Sequence, residues 1–172
     1  MFAPHRPCRM TPNVMIRPSS RDDLPAIVAV YGWNVEHGTG PFELEAPQGL
    51  PWPVLERAGS GEGYSHATRF RSRPAYRFCL EDPVYLAPAA TGQGSVRLLL
   101  LELLSRCEAA IARRILAVVG DSANADSVGV HRSLGFLPVG TIAAAGWKFG
   151  RWLDVVMMQK SLSTGAGVPA SA

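Results

Sequence analysis

Long apolar runs, paired cysteines and lysine are what this sequence has little of. No stretch approaches the ~18 consecutive apolar residues that a membrane-spanning helix needs. The residues before Met15 contain no apolar core of ~7–15 residues of the kind a secretory signal carries, so a soluble chain without a standard export signal is expected. Cys8, Cys79 and Cys107 are odd in number, widely spaced and without a CxxC. That excludes a disulfide framework, gives no zinc pattern and fits a reducing cytoplasm; no metal is expected. Lysine occurs only as Lys148 and Lys160. The 17 basic and 14 acidic residues leave a net charge of +3, and Arg6 and Arg9 supply most of it from the N-terminal segment. The sequence pI of about 9.0 therefore reflects no Lys/Arg stripe, and neither a nucleic-acid nor a membrane partner is expected.

What is present is the composition of one globular domain: 172 residues, 47% hydrophobic and 18% charged. Residues 1–13 hold three prolines and no periodic pattern, so they read as a disordered extension, with Met15 a second candidate start. The folded domain is expected over 14–162, with a small, uncharged flexible tail at 163–172.

Val14–Pro18 is strand-like, and Ser19 or Ser20 can cap a helix with Asp22 and Asp23 in its first turn. Leu24, Ile27, Val28, Tyr31 and Val35 give that helix an apolar stripe as far as His37-Gly38. Gly38–Pro53, with three glycines and four prolines, reads as loop. A hairpin is expected from Trp52–Glu56 and Tyr64–Phe70, Pro53 demoting its first strand to an edge or irregular place. Arg77–Leu86 is a strand. A helix from the glycines at 92–94 to about Ala112 buries Val96, Leu99, Leu100, Leu103, Leu104 and Cys107. Ile115–Val119 is β-branched and continuous, as in a strand covered on both faces. A helix from about Asp121–Ala125 to Gly135 and strands at Phe136–Ile142 and Arg151–Lys160 complete the chain.

A strand ending at Leu86, a turn Thr91-Gly92-Gln93-Gly94 and a strong amphipathic helix make either an ordinary strand-to-helix turn or a phosphate cradle. Neither GxxxxGK[ST] nor GxGxxG is matched. The downstream segments favour the cradle. Met15–Pro18, Phe42-Glu43, RSRPAYR at Arg71–Arg77, EDPVY at Glu81–Tyr85, Gly120–Asn124, HRSLGF at His131–Phe136 and WKFGRWLD at Trp147–Asp154 occur in family order. Across 14–162 the chain thereby resembles the phosphinothricin N-acetyltransferases of the GNAT superfamily.

The resemblance implies an α/β (α+β) GNAT fold, a mixed central sheet flanked by helices whose fourth and fifth strands splay apart. Those strands would be Arg77–Leu86 and Ile115–Val119. It implies acetyl-CoA as co-substrate, its arm between them beside Val84 and Leu86, and its pyrophosphate on the amides of Gly92, Gln93, Gly94, Ser95 and Val96. Asn124 and Ser127 match cofactor contacts, or are simply polar residues at a helix start. Glu81 matches the general base, apt because an ammonium acceptor must lose a proton before it attacks a thioester. His131 stands where many relatives place the acid that protonates the CoA thiolate, or is a packing residue. Arg71, Arg73 and Tyr76 match the stretch that meets the acceptor's acidic groups, or form a solvated surface. Phe42 would pack on the acceptor's aliphatic part or in the core. A small-molecule amine is thus the expected substrate, and a homodimer the expected assembly.

Three departures from the family pattern accompany the resemblance. Thr91 and Val96 replace both outer positions of the Arg/Gln-x-x-Gly-x-Gly/Ala loop, Val96 adding a branched side chain unless it turns inward. Pro83 replaces a small hydroxyl residue and gives no N–H to a ladder, which a bulge could absorb. The family's second N-terminal helix is missing, since only Gln48–Pro51 separate Pro47 from Trp52. These motivate a rival reading, a degenerate non-catalytic relative with impaired acetyl-CoA binding.

Overall fold

The computed structural model describes residues 14–38, 50–110 and 112–162. The expected extension, the tail, Phe42 and most of the segment where the second helix is missing lie outside those residues. Nine strands are present among them: β1 (Val14–Pro18), β2 (Pro53–Arg57), β3 (Ser60–Ser65), β4 (Thr68–Arg69), β5 (Cys79–Glu81), β6 (Val84–Leu86), β7 (Arg114–Gly120), β8 (Leu137–Lys148) and β9 (Arg151–Ser161). Three α-helices accompany them: α1 (Leu24–His37), α2 (Ser95–Ala109) and α3 (Ala125–Ser133). The strands form an antiparallel sheet β1-β2-β3-β6 and a mixed sheet β4-β5-β7-β9-β8, in which β5 and β7 run parallel.

The expected strand Arg77–Leu86 is thus two strands, and the break falls at Asp82-Pro83. Proline has no N–H for a ladder. Here the Pro83 carbonyl accepts the His66 N–H at 3.1 Å, and Asp82 N–H closes the last rung to the Leu116 carbonyl at 3.2 Å. β5 therefore pairs with β7 while β6 leaves it for β3.

Side-chain alternation puts Leu80 into a core with Leu100, Leu103, Leu104, Cys107, Ile115, Ala117, Val119 and Phe136, on the α2–α3 side. Tyr85 faces the other side, with Val30, Val54 and Tyr64 under α1. α1 begins after a 3-10 turn in which the Asp23 carboxylate accepts the Ser20 N–H at 2.7 Å. Its apolar face is not the expected stripe. Ile27, Val30 and Tyr31 pack inward, whereas Leu24 (55%), Val28 (66%) and Val35 (40%) are exposed. The helix is apolar on more than one side, so periodicity alone did not select the buried face.

Two other expectations are corrected. β2 lies between β1 and β3, and Pro53 is tolerated because it is the strand's first residue, opposite Pro18. β7 is not covered throughout: Val118, in mid-strand, is 46% exposed because β6 has turned away from it.

Arg17 ties β1 to the start of α1 and to β2, donating to both Asp23 oxygens at 2.7 and 2.8 Å and to Glu56 at 2.9 Å. Its guanidinium holds the Asp23 carboxyl well below the usual carboxylate range. Folding then favours ionised Asp23, so its stabilisation is full above the ordinary value of 3.8 and is lost as pH falls below it. Asp23→Asn should cost about 1–3 kcal/mol in urea unfolding at neutral pH. The variant should also lose less stability than the parent on acidification.

Candidate active site

The split makes a hole in the sheet. Tyr85 lies opposite Tyr64, and the Ala87 N–H bonds the Glu62 carbonyl at 2.8 Å, so the odd-numbered peptide groups of this segment face β3. Those of Val84 and Leu86 therefore face the gap, across from β7 beyond Leu116. Asn34, near the end of α1, donates its side-chain amide to the Leu86 carbonyl at 3.0 Å. The remaining N–H and C=O groups of Val84 and the N–H of Leu86 have no strand to pair with among the described residues.

One end of the gap is bounded by two helix starts. After Leu86 the chain makes a short 3-10 turn, then Gly92 (φ +70) and Gly94 (φ +77) adopt left-handed backbone and launch α2. Thr91 Oγ1 and Gln93 Nε2 fold back onto the carbonyls of Pro88 and Ala89, at 2.7 and 2.6 Å. The first rung of α2 runs from Leu98 N–H to the Gly94 carbonyl, which leaves the preceding amides directed outward. At α3, Asn124 Oδ1 caps the Ser127 N–H at 3.1 Å. Two helix N-termini with partial positive charge thus converge on one opening.

That opening is a cleft of about 560 Å³, walled by Val84 and Leu86 of β6, Gly92, Gly94, Ser95 and Val96 of the turn and α2, and Asn124 and Ser127 of α3. Every residue expected to contact the cofactor, Gln93 excepted, is brought to it. Val96 turns partly inward against the core and does not fill the opening. Sequence reasoning missed Trp33, Asn34, Arg97, Asp126 and Val130, which with Thr91 complete the walls. Arg97 carried a signal, since a cation in the first turn of a helix opposes the dipole unless an anion comes between.

Glu81 ends β5, half-buried, in register with Thr68 and Leu116. Alternation from buried Leu80 places it on the sheet face away from α2, at the apex of the split. Arg71 and Tyr76 gather on Phe70, the guanidinium 4.6 Å above its ring and the tyrosine edge-on at 5.9 Å. Arg73 is exposed at the start of the 3-10 turn Pro74–Tyr76.

Of the two places expected for His131, proton donor at the cleft or packing residue, the structure fits the second. It is 3% exposed and does not line the cleft. Its Nδ1 lies 2.7 Å from the Ser127 carbonyl and its Nε2 3.6 Å from Asp82 Oδ2. Both ring nitrogens are directed at protein groups, so neither offers a proton to the cleft.

Scanned against models of known families, the chain matches none. Single relatives do match. It is 48% identical over 158 residues to a phosphinothricin N-acetyltransferase of Alcaligenes faecalis, covering 84% of this chain and 80% of that one. It is 35% identical over 170 residues to an L-methionine sulfoximine/L-methionine sulfone acetyltransferase of Salmonella typhimurium, covering 90% and 98%. A solved GNAT superfamily phosphinothricin acetyltransferase from Sinorhizobium meliloti, in complex with acetyl-CoA, superposes with a TM-score of 0.85 at 35% identity, covering 92% of this chain and 94% of that one. The fold is thus that of a GNAT acetyltransferase. Within that superfamily the chain belongs to the phosphinothricin N-acetyltransferase family.

The width of the gap depends on Gly63. A Cβ there would overlap the Leu86 side chain and sit 2.9 Å from the Tyr85 carbonyl oxygen. Gly63→Ala should force β6 off β3 into the opening, costing about 1–3 kcal/mol of stability in thermal unfolding and weakening acetyl-CoA binding in calorimetry.

Proposed function

We propose that this protein transfers the acetyl group of acetyl-CoA directly to the amine of a small amino acid analogue of the phosphinothricin or methionine sulfoximine type. The observation that carries the reading is the divergence of β6 from β7 at Asp82-Pro83, beside two helix N-termini. The pyrophosphate suits the amides between Gly92 and Arg97, and the pantetheine arm can pair with the strandless groups of Val84 and Leu86 as an added strand would.

Glu81 takes a proton from the ammonium acceptor, directly or through water; the freed lone pair attacks the thioester carbonyl and a C–N bond forms, then the C–S bond breaks and the nitrogen's surplus proton passes through water to the departing thiolate, which leaves as the CoA thiol. Strand amides at the split polarise that carbonyl. Arg71, Arg73 and Tyr76 are assigned to the acceptor's anionic groups, with Phe42 on its aliphatic part. The rival non-catalytic reading loses two of its three motives: Pro83 sits at the break itself, Val96 leaves the cleft open, and Thr91 is engaged with its own turn, while the segment of the missing helix lies outside the described residues.

A second copy of the chain is assigned to β8, the edge strand, where Leu137, Val139 and Ile142 are more than half exposed. The free thiols of Cys79 and Cys107 suit a reducing cytoplasm. Among the described residues no helix is long and apolar enough to cross a membrane.

Purified protein mixed with acetyl-CoA and phosphinothricin or methionine sulfoximine should release CoA. Glu81→Gln should lower kcat about 10²–10⁴-fold with acetyl-CoA affinity retained. Absence of turnover, or a Glu81→Gln variant as active as the parent, rejects the reading. Light scattering should report a dimer, and Val139→Lys, a charge on an edge strand, should shift it to monomer.

A further inference from the structure

Beneath the split lies a pair of buried titratable groups that the transfer chemistry does not use. Asp82 and His131 are each 3% exposed, and neither Asp82 Oδ2 nor His131 Nε2 has a hydrogen-bond partner. They face each other at 3.6 Å. A carbonyl oxygen only accepts, so the short contact to Ser127 places a proton on His131 Nδ1 and turns Nε2 toward Asp82. One further proton between Nε2 and Oδ2 then serves both groups, whichever of them carries it. Burial pushes the Asp82 carboxyl up against the pull of His131; burial pulls the imidazole down, but Asp82 and the Ser127 carbonyl outweigh it and hold it raised. The other titratable group in reach is Cys107 of α2, whose thiol burial pushes up to about 12, so it stays neutral.

The placement of this pair is specific. Asp82 is the last residue of the split strand still bonded to β7, two positions before Val84 in one cleft wall. His131 stands one helical turn after Ser127 in the other wall, and its ring grips the Ser127 carbonyl. Apart from this contact the core here is apolar, and a buried pair of this kind gives little net stability while specifying geometry.

We propose that Asp82 is a positioning residue for acyl-donor binding: acting through His131, it braces α3 against the split strand and sets the separation of the two cleft walls. The inference rests on the reading of the cleft as the acetyl-CoA site. Calorimetry with acetyl-CoA on the parent, Asp82→Ala, Asp82→Asn and Asp82→Ala/His131→Phe proteins tests it, with steady-state kinetics alongside. Asp82→Ala should raise the acetyl-CoA Kd and KM about tenfold and kcat should change by less. Asp82→Asn, whose amide can donate to Nε2, should restore binding to within about threefold. The double variant should bind no more weakly than Asp82→Ala, because the same brace is already lost. An Asp82→Ala protein that binds as the parent does, an Asp82→Asn no better than Ala, or a double variant that binds more weakly than Asp82→Ala would overturn it. If Asp82→Ala fails to fold, imidazole nitrogen spectra of the parent decide: Nδ1 of His131 protonated and Nε2 shifted on adding acetyl-CoA support the brace, and a bare Nδ1 or an unmoved Nε2 refutes it. A parent protein that does not bind acetyl-CoA removes the reading of the cleft itself, a failure recognisable before any variant is compared, and the brace falls with it.

Discussion

The desertion of β7 by β6 at Asp82-Pro83 is the constraint on which the rest of the structure depends. A sheet gains by keeping every peptide group paired, so a strand that leaves its neighbour must be held elsewhere. Here β3 receives it, through the Tyr64–Tyr85 register and the His66–Pro83 bond. Asn34 takes one of the carbonyls left facing the gap. The groups still facing it are the reason a ligand with amides of its own suits the opening. The mid-strand exposure of Val118 is the counterpart on β7.

Much of this was legible in the sequence, and the reasons differ by element. α2 was readable because Leu99, Leu100, Leu103, Leu104 and Cys107 leave only one face that can be buried. The cleft residues could be placed because they belong to a strand, a glycine turn and two helix starts, which backbone chemistry marks. The splay of the two strands came from the resemblance; the residues themselves marked it only as a difficulty, because Pro83 signalled a fault in the ladder but not which neighbour would be kept. For His131, local pattern carried no information on direction. Whether its ring meets the cleft or the core is decided by Asp82, 49 positions away in the chain, a separation no periodicity reports.

The same limit explains α1 and β8. Leu24, Val28 and Val35 fit a helical stripe as well as Ile27, Val30 and Tyr31 do, and only the placement of Val54, Tyr64 and Tyr85 beneath the helix chooses between them. β8 runs past its expected end at Ile142 to Lys148 because Asp154 of β9 accepts the Ala144 N–H at 3.0 Å, pinning an irregular stretch that alternation alone does not identify. Its exposed apolar residues then stand on an edge with no strand beyond it, a surface that isolated chains tend to protect.

Because the proposed donor site is built mainly from peptide groups, its tolerance of substitution follows. Thr91 closes the 3-10 turn before the glycines, its N–H on the Pro88 carbonyl, and Val96 still lies in the first turn of α2, ahead of the first rung from Leu98, with its amide outward. What the loop cannot lose is the left-handed backbone at Gly92 and Gly94, where a β-carbon is strained even though open space surrounds both. Arg97 adds a full charge to the partial ones at the α2 terminus, and Asp126 on the facing helix keeps the cleft from being uniformly positive. The two helix starts must therefore be held at a fixed separation for their amides to act on one ligand. The side chains that matter most are then those that fix the backbone: Gly63 behind Leu86, Asn34 on its carbonyl, and Asp82 with His131 beneath the split.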